Sequence, residues 1–226
     1  MWRALPVLLA LLACPASAQT ERVDVALVLA IDVSGSVDAA RFSLQMQGIA
    51  AAFESREVQD TILAGRHRAM LVALVQWSNR PTLSLPWTLL ASSGDVRRFA
   101  ARVRDLRRAD SAFTCMSAAL RSIADKLLTQ LPVPADRLVV DVSGDGRDNC
   151  NPLETVDEVR DELAAASVTV NGLPILEGDE ADTLTAWYRD HVIGGPNAFL
   201  IPAAGFADFE RAMRRKFVTE ISLALD

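Results

Sequence analysis

Short β-branched runs alternate with longer segments of helical periodicity along this chain, the pattern of an α/β fold with a largely parallel sheet. Val23 to Ile31 is a near-continuous apolar run, so it reads as a central strand covered on both faces. A helix is expected from Asp38 to Glu54, with Asp38 placed where a carboxylate caps free amides. Arg68 to Trp77 reads as a second buried strand, and Pro81 to Leu89 as its antiparallel neighbour across Ser78-Asn79-Arg80. Helices then follow from Ser92 to Leu106 and from Thr114 to Gln130, and a strand from Arg137 to Val142 leads into a loop rich in Gly and Asp that ends at Asn151-Pro152. The remainder alternates again: helix Glu154 to Ala166, strand Val168 to Ile175, helix Asp179 to His191, strand Ala198 to Ile201, and a closing helix from Phe206 to Leu223. In that last helix Phe206, Phe209, Met213, Phe217 and Ile221 recur every three or four residues, an apolar stripe directed at the sheet. The expected fold is a doubly wound, mostly parallel six-stranded sheet with one antiparallel edge strand and helices on both faces.

Ahead of the first strand, Met1-Trp2-Arg3 carries the only charge before an apolar run from Ala4 to Ala13, and Ala16-Ser17-Ala18 offers a small-x-small cleavage site. Residues 1–18 therefore read as a secretory signal peptide. The run is shorter than the roughly 20 residues that a membrane-spanning helix needs. An alternative is a lipobox at Leu11-Leu12-Ala13-Cys14, which would lipidate Cys14. Residues 19–226 carry no repeat or low-complexity stretch and read as one domain, periplasmic or secreted. Once Cys14 leaves with the signal, Cys115 and Cys150 form an even pair in an oxidising compartment. A disulfide is the natural reading, with two buried thiols as its alternative.

Charge removes one class of function. The formal net charge is −6, and losing Arg3 with the signal takes it to −7, so the basic footprint of a nucleic-acid binder is missing. Arg97, Arg98, Arg102, Arg104, Arg107 and Arg108 are interleaved along one helical stretch and read as a solvated face. No later segment is long and apolar enough to span a membrane.

Candidate chemistry gathers at two strand ends. Asp32-Val33-Ser34-Gly35-Ser36 stands at the carboxyl end of the first strand, where alternation directs the oxygens of 32, 34 and 36 to one side and Gly35 permits a sharp turn. The loop after Val142 supplies Ser143-Gly144-Asp145-Gly146, a carboxylate bracketed by glycines. Both loops leave the carboxyl ends of parallel strands, the side where ligands bind in open α/β sheets. Two carboxylates with hydroxyls suit a hard divalent cation, Mg²⁺ first and Mn²⁺ second, and no His or Cys cluster offers softer ligands.

These motifs resemble the von Willebrand factor A domain family, whose metal-ion-dependent adhesion site (MIDAS) uses Asp-x-Ser-x-Ser, a Thr from a second loop and an Asp from a third. The resemblance covers most of the mature chain, which more narrowly looks like an uncharacterised bacterial group of secreted A-type domains. It implies metal ligation by Asp32, Ser34, Ser36, Thr114 and Asp145, with Val75-Gln76-Trp77-Ser78 as the family's second strand. It also implies a metal-dependent adhesion or docking module that engages a protein partner through a carboxylate. Cys115 adjoins Thr114, and Cys150 lies just beyond the acidic loop, so the same arrangement brings the two cysteines together. Two positions depart from the pattern: Phe113 stands where many members have Gly, and Gly144 where many have Thr. Asp148 reads either as an acceptor for metal-bound water or as a solvated turn residue. In adhesive members ligand exchange is linked to displacement of the closing helix, whose counterpart here is Phe206 to Leu223. A fixed packing helix is the other reading.

Enzymatic readings find less in the residues. Ser34 lacks a nearby histidine, because His67 precedes a strand and His191 ends a helix, and both read as surface residues. There is no Gly-x-Ser-x-Gly elbow and no phosphate-binding glycine loop, which leaves Mg²⁺-dependent phosphotransfer or hydrolysis through Asp32 as the rival reading. Trp77, Trp87 and Trp187 are read as core.

Overall fold

In the computed structural model β1 (Val23–Asp32) is buried along its whole length at the centre of a sheet ordered β3-β2-β1-β4-β5. The strands β2 (Met70–Trp77) and β4 (Ala135–Gly144) flank it in parallel, and β5 (Val168–Pro174) continues in parallel beyond β4. The other edge is β3 (Thr82–Leu90), antiparallel to β2. Residues 22–109, 112–150 and 153–223 are described, so the signal-peptide and lipobox readings lie outside the described residues.

Alternate side chains of β1 enter two separate cores. Leu27, Leu29 and Ile31 pack with buried residues of α1 (Ala39–Glu54), α2 (Arg56–Ala64), α3 (Ser93–Arg104) and α7 (Phe209–Ser222). Val28 and Ala30 face α4 (Met116–Ser122), α5 (Val156–Ala165) and α6 (Ala181–Trp187) on the other side. This two-sided burial is why the strand reads as an apolar run rather than an alternating one. Asp38 caps α1 as expected, accepting a hydrogen bond from the Arg41 amide at 2.8 Å.

The sheet has five strands, not six. The segment around Leu200 lies parallel to β5 but bridges it only in isolation, at Gly172–Leu200 and Ile175–Ala203. Gly172 donates to the Phe199 carbonyl and Ile201 donates back to Gly172, at 3.1 and 3.0 Å. The next donor in such a ladder falls on Pro174, which has no N–H, so that rung is missing and the pairing is interrupted before it resumes where Ala203 donates to the Pro174 carbonyl at 2.9 Å. Two helices reach their expected ends, at Gln130 and near His191, but not as uniform α-helices. The chain from Thr114 forms α4 only from Met116 and widens after Ser122, and the helix after Glu180 widens at Tyr188. Ser55, which accepts from the Val58 amide, opens α2, an element that the sequence pattern does not announce.

The closing helix is held by charge as well as by its apolar stripe. Lys216 is fully buried, and its ammonium pairs with Asp141 of β4 and, at 2.6 Å, with Glu220 one turn along α7. Asn171 of β5 donates to Glu220 at 2.6 Å, and the ring of Phe199 lies 4.7 Å from the ammonium. Burial, with the Glu220 charge adding to it, pushes the Asp141 carboxyl well above the usual range, against the pull of Lys216.

Candidate metal site

Because β1 and β4 run in parallel, Asp32 and the loop after Gly144 emerge at the same end of the sheet. The amide of Ser34 turns back to donate to Asp32 Oδ1 at 2.7 Å. The Ser34 and Ser36 hydroxyls lie 3.3 Å apart, and Ser36 donates to Asp145 Oδ1 at 2.7 Å. Ser36, Thr114 and Asp145 line one cleft of about 270 Å³, with Asp32 and Ser34 buried beneath it. The structure thus gathers all five residues singled out from the sequence, four of them from two β-strand ends and Thr114 from the loop before α4.

Three features position Thr114. Its amide donates to Asn149 Oδ1 and its carbonyl accepts from the Asn149 amide, both at 2.9 Å. Cys115 and Cys150 are joined in a disulfide with 5.0 Å between their Cα atoms, which binds the two loops covalently. A bridge across 35 residues stabilises by about 3–4 kcal/mol in the chain-entropy account. Asp148, read from sequence as a water acceptor or a solvated turn, accepts from the amides of Ser117 and Cys150 at 3.3 Å. Its carboxylate supplies the cap that Cys115, the residue preceding α4, does not.

Other positioning residues carry no motif. Arg108, grouped by periodicity with a solvated helix face, lies beyond the end of α3 and donates to the carbonyls of Val33 and Ser34 at 3.0 and 2.8 Å. Gln45 of α1 donates to the Asp32 carbonyl at 3.1 Å. Arg41 donates to the Ser36 carbonyl at 2.6 Å and pairs with Glu177 on the far wall of the cleft at 2.8 Å. The glycine at 144 also has its reason: a Cβ there would stand 2.8 Å from Asp32 Oδ2 and 3.0 Å from the Tyr188 hydroxyl. Buried Tyr188 fills the space that a threonine side chain would need.

The electrostatics are those of a site short of positive charge. Asp32 Oδ2 is buried without a hydrogen-bond partner. Burial pushes the Asp32 carboxyl up to about 7, against the Ser34 amide and hydroxyl, with the Asp145 charge adding to the rise. Asp145 is also raised, by burial first, while Ser36 and Arg41 pull it down. No ammonium or guanidinium of the described residues pairs with Asp32, and neither histidine lines the cleft. The donor set of carboxylate and hydroxyl oxygens around an orphaned buried oxygen fits a hard divalent cation.

A second grouping, Asp24, His67 and Asp136, offers three ligand-type atoms within 4.8 Å of one another, but at the opposite, amino-terminal end of the strands. Its atoms are engaged in fastening the chain ahead of β2. Asp24 accepts from the amides of His67 and Ala69 at 2.8 and 3.3 Å, and Asp136 pairs with Arg22 and with His67 Nε2. His191 pairs with Asp157 beside half-buried Trp187, while Trp77 is core as expected. Trp87 is also half-buried and donates to the Leu127 carbonyl. Among the described residues no helix is long and apolar enough to cross a membrane.

Comparison with known proteins agrees with this architecture. Residues 22–225 match the family model described as "Protein of unknown function (DUF1194)". A search of curated proteins returns no match. Among solved structures the fold is similar to proximal thread matrix protein 1 from the mussel byssus, with a zinc-occupied MIDAS motif, at TM-score 0.62 and 13% identity, covering 87% of this chain and 46% of that one. It is also similar to a von Willebrand factor type A protein from Catenulispora acidiphila (TM-score 0.59, 18% identity, 88% and 43% covered). A third likeness is to the vWF domain of the type V pili tip protein Mfa5 from Porphyromonas gingivalis (TM-score 0.58, 11% identity, 90% and 97% covered). The chain spans less than half the length of the first two, and the likeness establishes the von Willebrand factor A fold.

Proposed function

The chain belongs to the family described as "Protein of unknown function (DUF1194)", and on that premise we propose that it is a metal-dependent docking module, not an enzyme, which engages an acidic group of a protein partner. The observation that carries the reading is the buried, unpartnered Oδ2 of Asp32, with hydroxyls and a second carboxylate near it and no cation of the described residues paired with it. Asp32, Ser34, Ser36, Thr114 and Asp145 would hold the ion, and a bound divalent cation supplies an electrophilic centre that a partner's carboxylate can complete. Around it the chain's own groups orient and exclude: Arg108 and Gln45 hold the first loop, Asn149 holds Thr114, and the disulfide keeps the second and third loops together. The oxygen donors favour Mg²⁺, with Mn²⁺ next; the zinc in the mussel protein's MIDAS makes Zn²⁺ the competitor to compare.

We also assign the mature chain, as one domain from about Gln19, to the periplasm or the cell exterior. The disulfide supports an oxidising compartment, and the likeness to a byssus matrix protein and a pili tip protein supports a role outside the cytoplasm.

Calorimetric titration of the metal-free protein with Mg²⁺, Mn²⁺ and Zn²⁺ tests this. One site is expected, lost in the Asp32→Ala, Asp145→Ala double variant; unchanged binding in that variant refutes the assignment. Affinity capture from a periplasmic extract, with Mg²⁺ and with chelator, then asks whether protein is retained only when metal is present.

A further inference from the structure

Five large apolar side chains stand exposed among the described residues: Leu44, Leu83, Leu89, Phe113 and Leu153. Leu44 lies on α1 and two more lie on the edge strand β3, where single exposed apolar residues need no explanation. The other two belong to the segments joined by the Cys115–Cys150 bridge. Phe113 is 61% exposed and directly precedes Thr114, and Leu153 is fully exposed three residues after Cys150.

The backbone under Phe113 is fixed on both sides. Ala112 donates to Asn79 Oδ1 at 3.1 Å and accepts from Gly35 at 3.2 Å, Thr114 is held by Asn149, and the Cys115 amide donates to the Ser78 carbonyl at 3.2 Å. A ring held outward on a fixed loop loses little freedom when a partner covers it, the condition under which an aromatic side chain contributes most to an interface. Ala112 and Thr114 both line the metal-site cleft, so the ring stands beside its mouth. The opposite wall differs in chemistry. Glu177, Asp179 and Glu180 set three carboxylates there against the guanidiniums of Arg41 and Arg147, which disfavours a second acidic group on that side.

We propose that this face docks a protein segment in which a single acidic residue stands next to an apolar one, the acid directed at the metal site and the apolar side chain resting on Phe113. The proposal rests on the metal-dependent reading above and adds to it a selectivity that the metal cannot provide. Its residue is Phe113, the position at which the chain departs from the small residue that the resemblance leads one to expect.

The experiment uses an array of capped hexapeptides carrying one Asp or Glu flanked by Gly, by Leu or by Phe, together with runs of Asp, probed with the mature protein in Mg²⁺ and in EDTA. Retention that requires Mg²⁺ and is at least fivefold stronger for the Leu- and Phe-flanked peptides is expected, falling to within twofold of the Gly-flanked ones in Phe113→Ser and recovering in Phe113→Leu. Mg²⁺ affinity is measured by calorimetry for every variant, which separates loss of metal from loss of the apolar contact. Mg²⁺-dependent retention without apolar preference, or a preference that survives Phe113→Ser, overturns the proposal and leaves the metal-site reading standing. Absence of any Mg²⁺ heat in the wild-type protein overturns both.

Discussion

Asp32 and Asp141 are buried aspartates on neighbouring strands, and burial raises the carboxyl of each. Asp141 meets an ammonium that the chain itself provides, for Lys216 enters the core from α7 and Asn171 and Glu220 complete its surroundings. Asp32 meets the amide and hydroxyl of Ser34 and the like charge of Asp145. A carboxylate withdrawn from water keeps its charge only where a cation compensates the lost solvation; otherwise it takes up a proton. One site is closed by the fold; the other leaves Asp32 Oδ2 without a partner, which is the opening that the proposed cation would fill. The difference separates a structural cluster from a candidate binding site more sharply than burial or acidity does, since both clusters share those.

Removing the internal cation should break the first half of the comparison with the largest effect. Lys216→Met leaves Asp141 and Glu220 buried without a partner charge, and a loss of about 3–5 kcal/mol is expected in urea unfolding at neutral pH. The opposite change at the other aspartate sharpens the contrast: Asp32→Asn removes a charge that no cation among the described residues offsets. The metal-free variant should be more stable than the wild type at pH 8 by about 2 kcal/mol, and Mg²⁺ should no longer raise its Tm.

The pH dependence follows from the same imbalance. Asp32 binds its proton more tightly when folded, at about 7 against 3.8 unfolded, so the native state holds the extra proton between those values. Unfolding then releases it, and the stability of the metal-free protein falls as pH rises from about 4 through 7. Saturating Mg²⁺ should remove most of that fall, as measured by urea midpoints across the range with and without metal. The smallest effect is expected at Arg108→Ala, which frees the carbonyls of Val33 and Ser34. Mg²⁺ affinity should drop by about three- to tenfold, the equivalent of roughly one hydrogen bond, with little change in the unfolding midpoint of the metal-free protein.

Much of the fold is legible in the sequence because β1 lies between two cores and its apolar run says so, and because the stripe from Phe206 to Ile221 has helical spacing. Asp32, Ser34, Ser36 and Asp145 are legible for a related reason: strand alternation and the carboxyl-end rule place them without any knowledge of packing. Thr114 needed the resemblance, since its loop has no strand to mark it. The expected sixth strand misleads because pattern shows the apolar residues near Leu200 but not that the facing donor is Pro174. Arg108 is hidden because six arginines in one stretch read as one face, although α3 ends at Arg104 and the chain then turns toward the metal-site loop. Asn149 and Tyr188 act across distances of 35 and 44 residues that no local pattern displays.

The placement of Lys216 and Glu220 one turn apart on α7 bears on the rate and shape of binding. A slide of one turn toward the carboxyl end would bring Ala212 opposite Asp141, exchanging an ammonium for a methyl group in a site closed to water. Of the two behaviours open to the closing helix, such a core favours a single register. An occupant of the proposed metal site should then meet a scaffold in one state. Its association should follow a single exponential and its isotherm a plain hyperbola, with none of the binding free energy diverted into moving a helix.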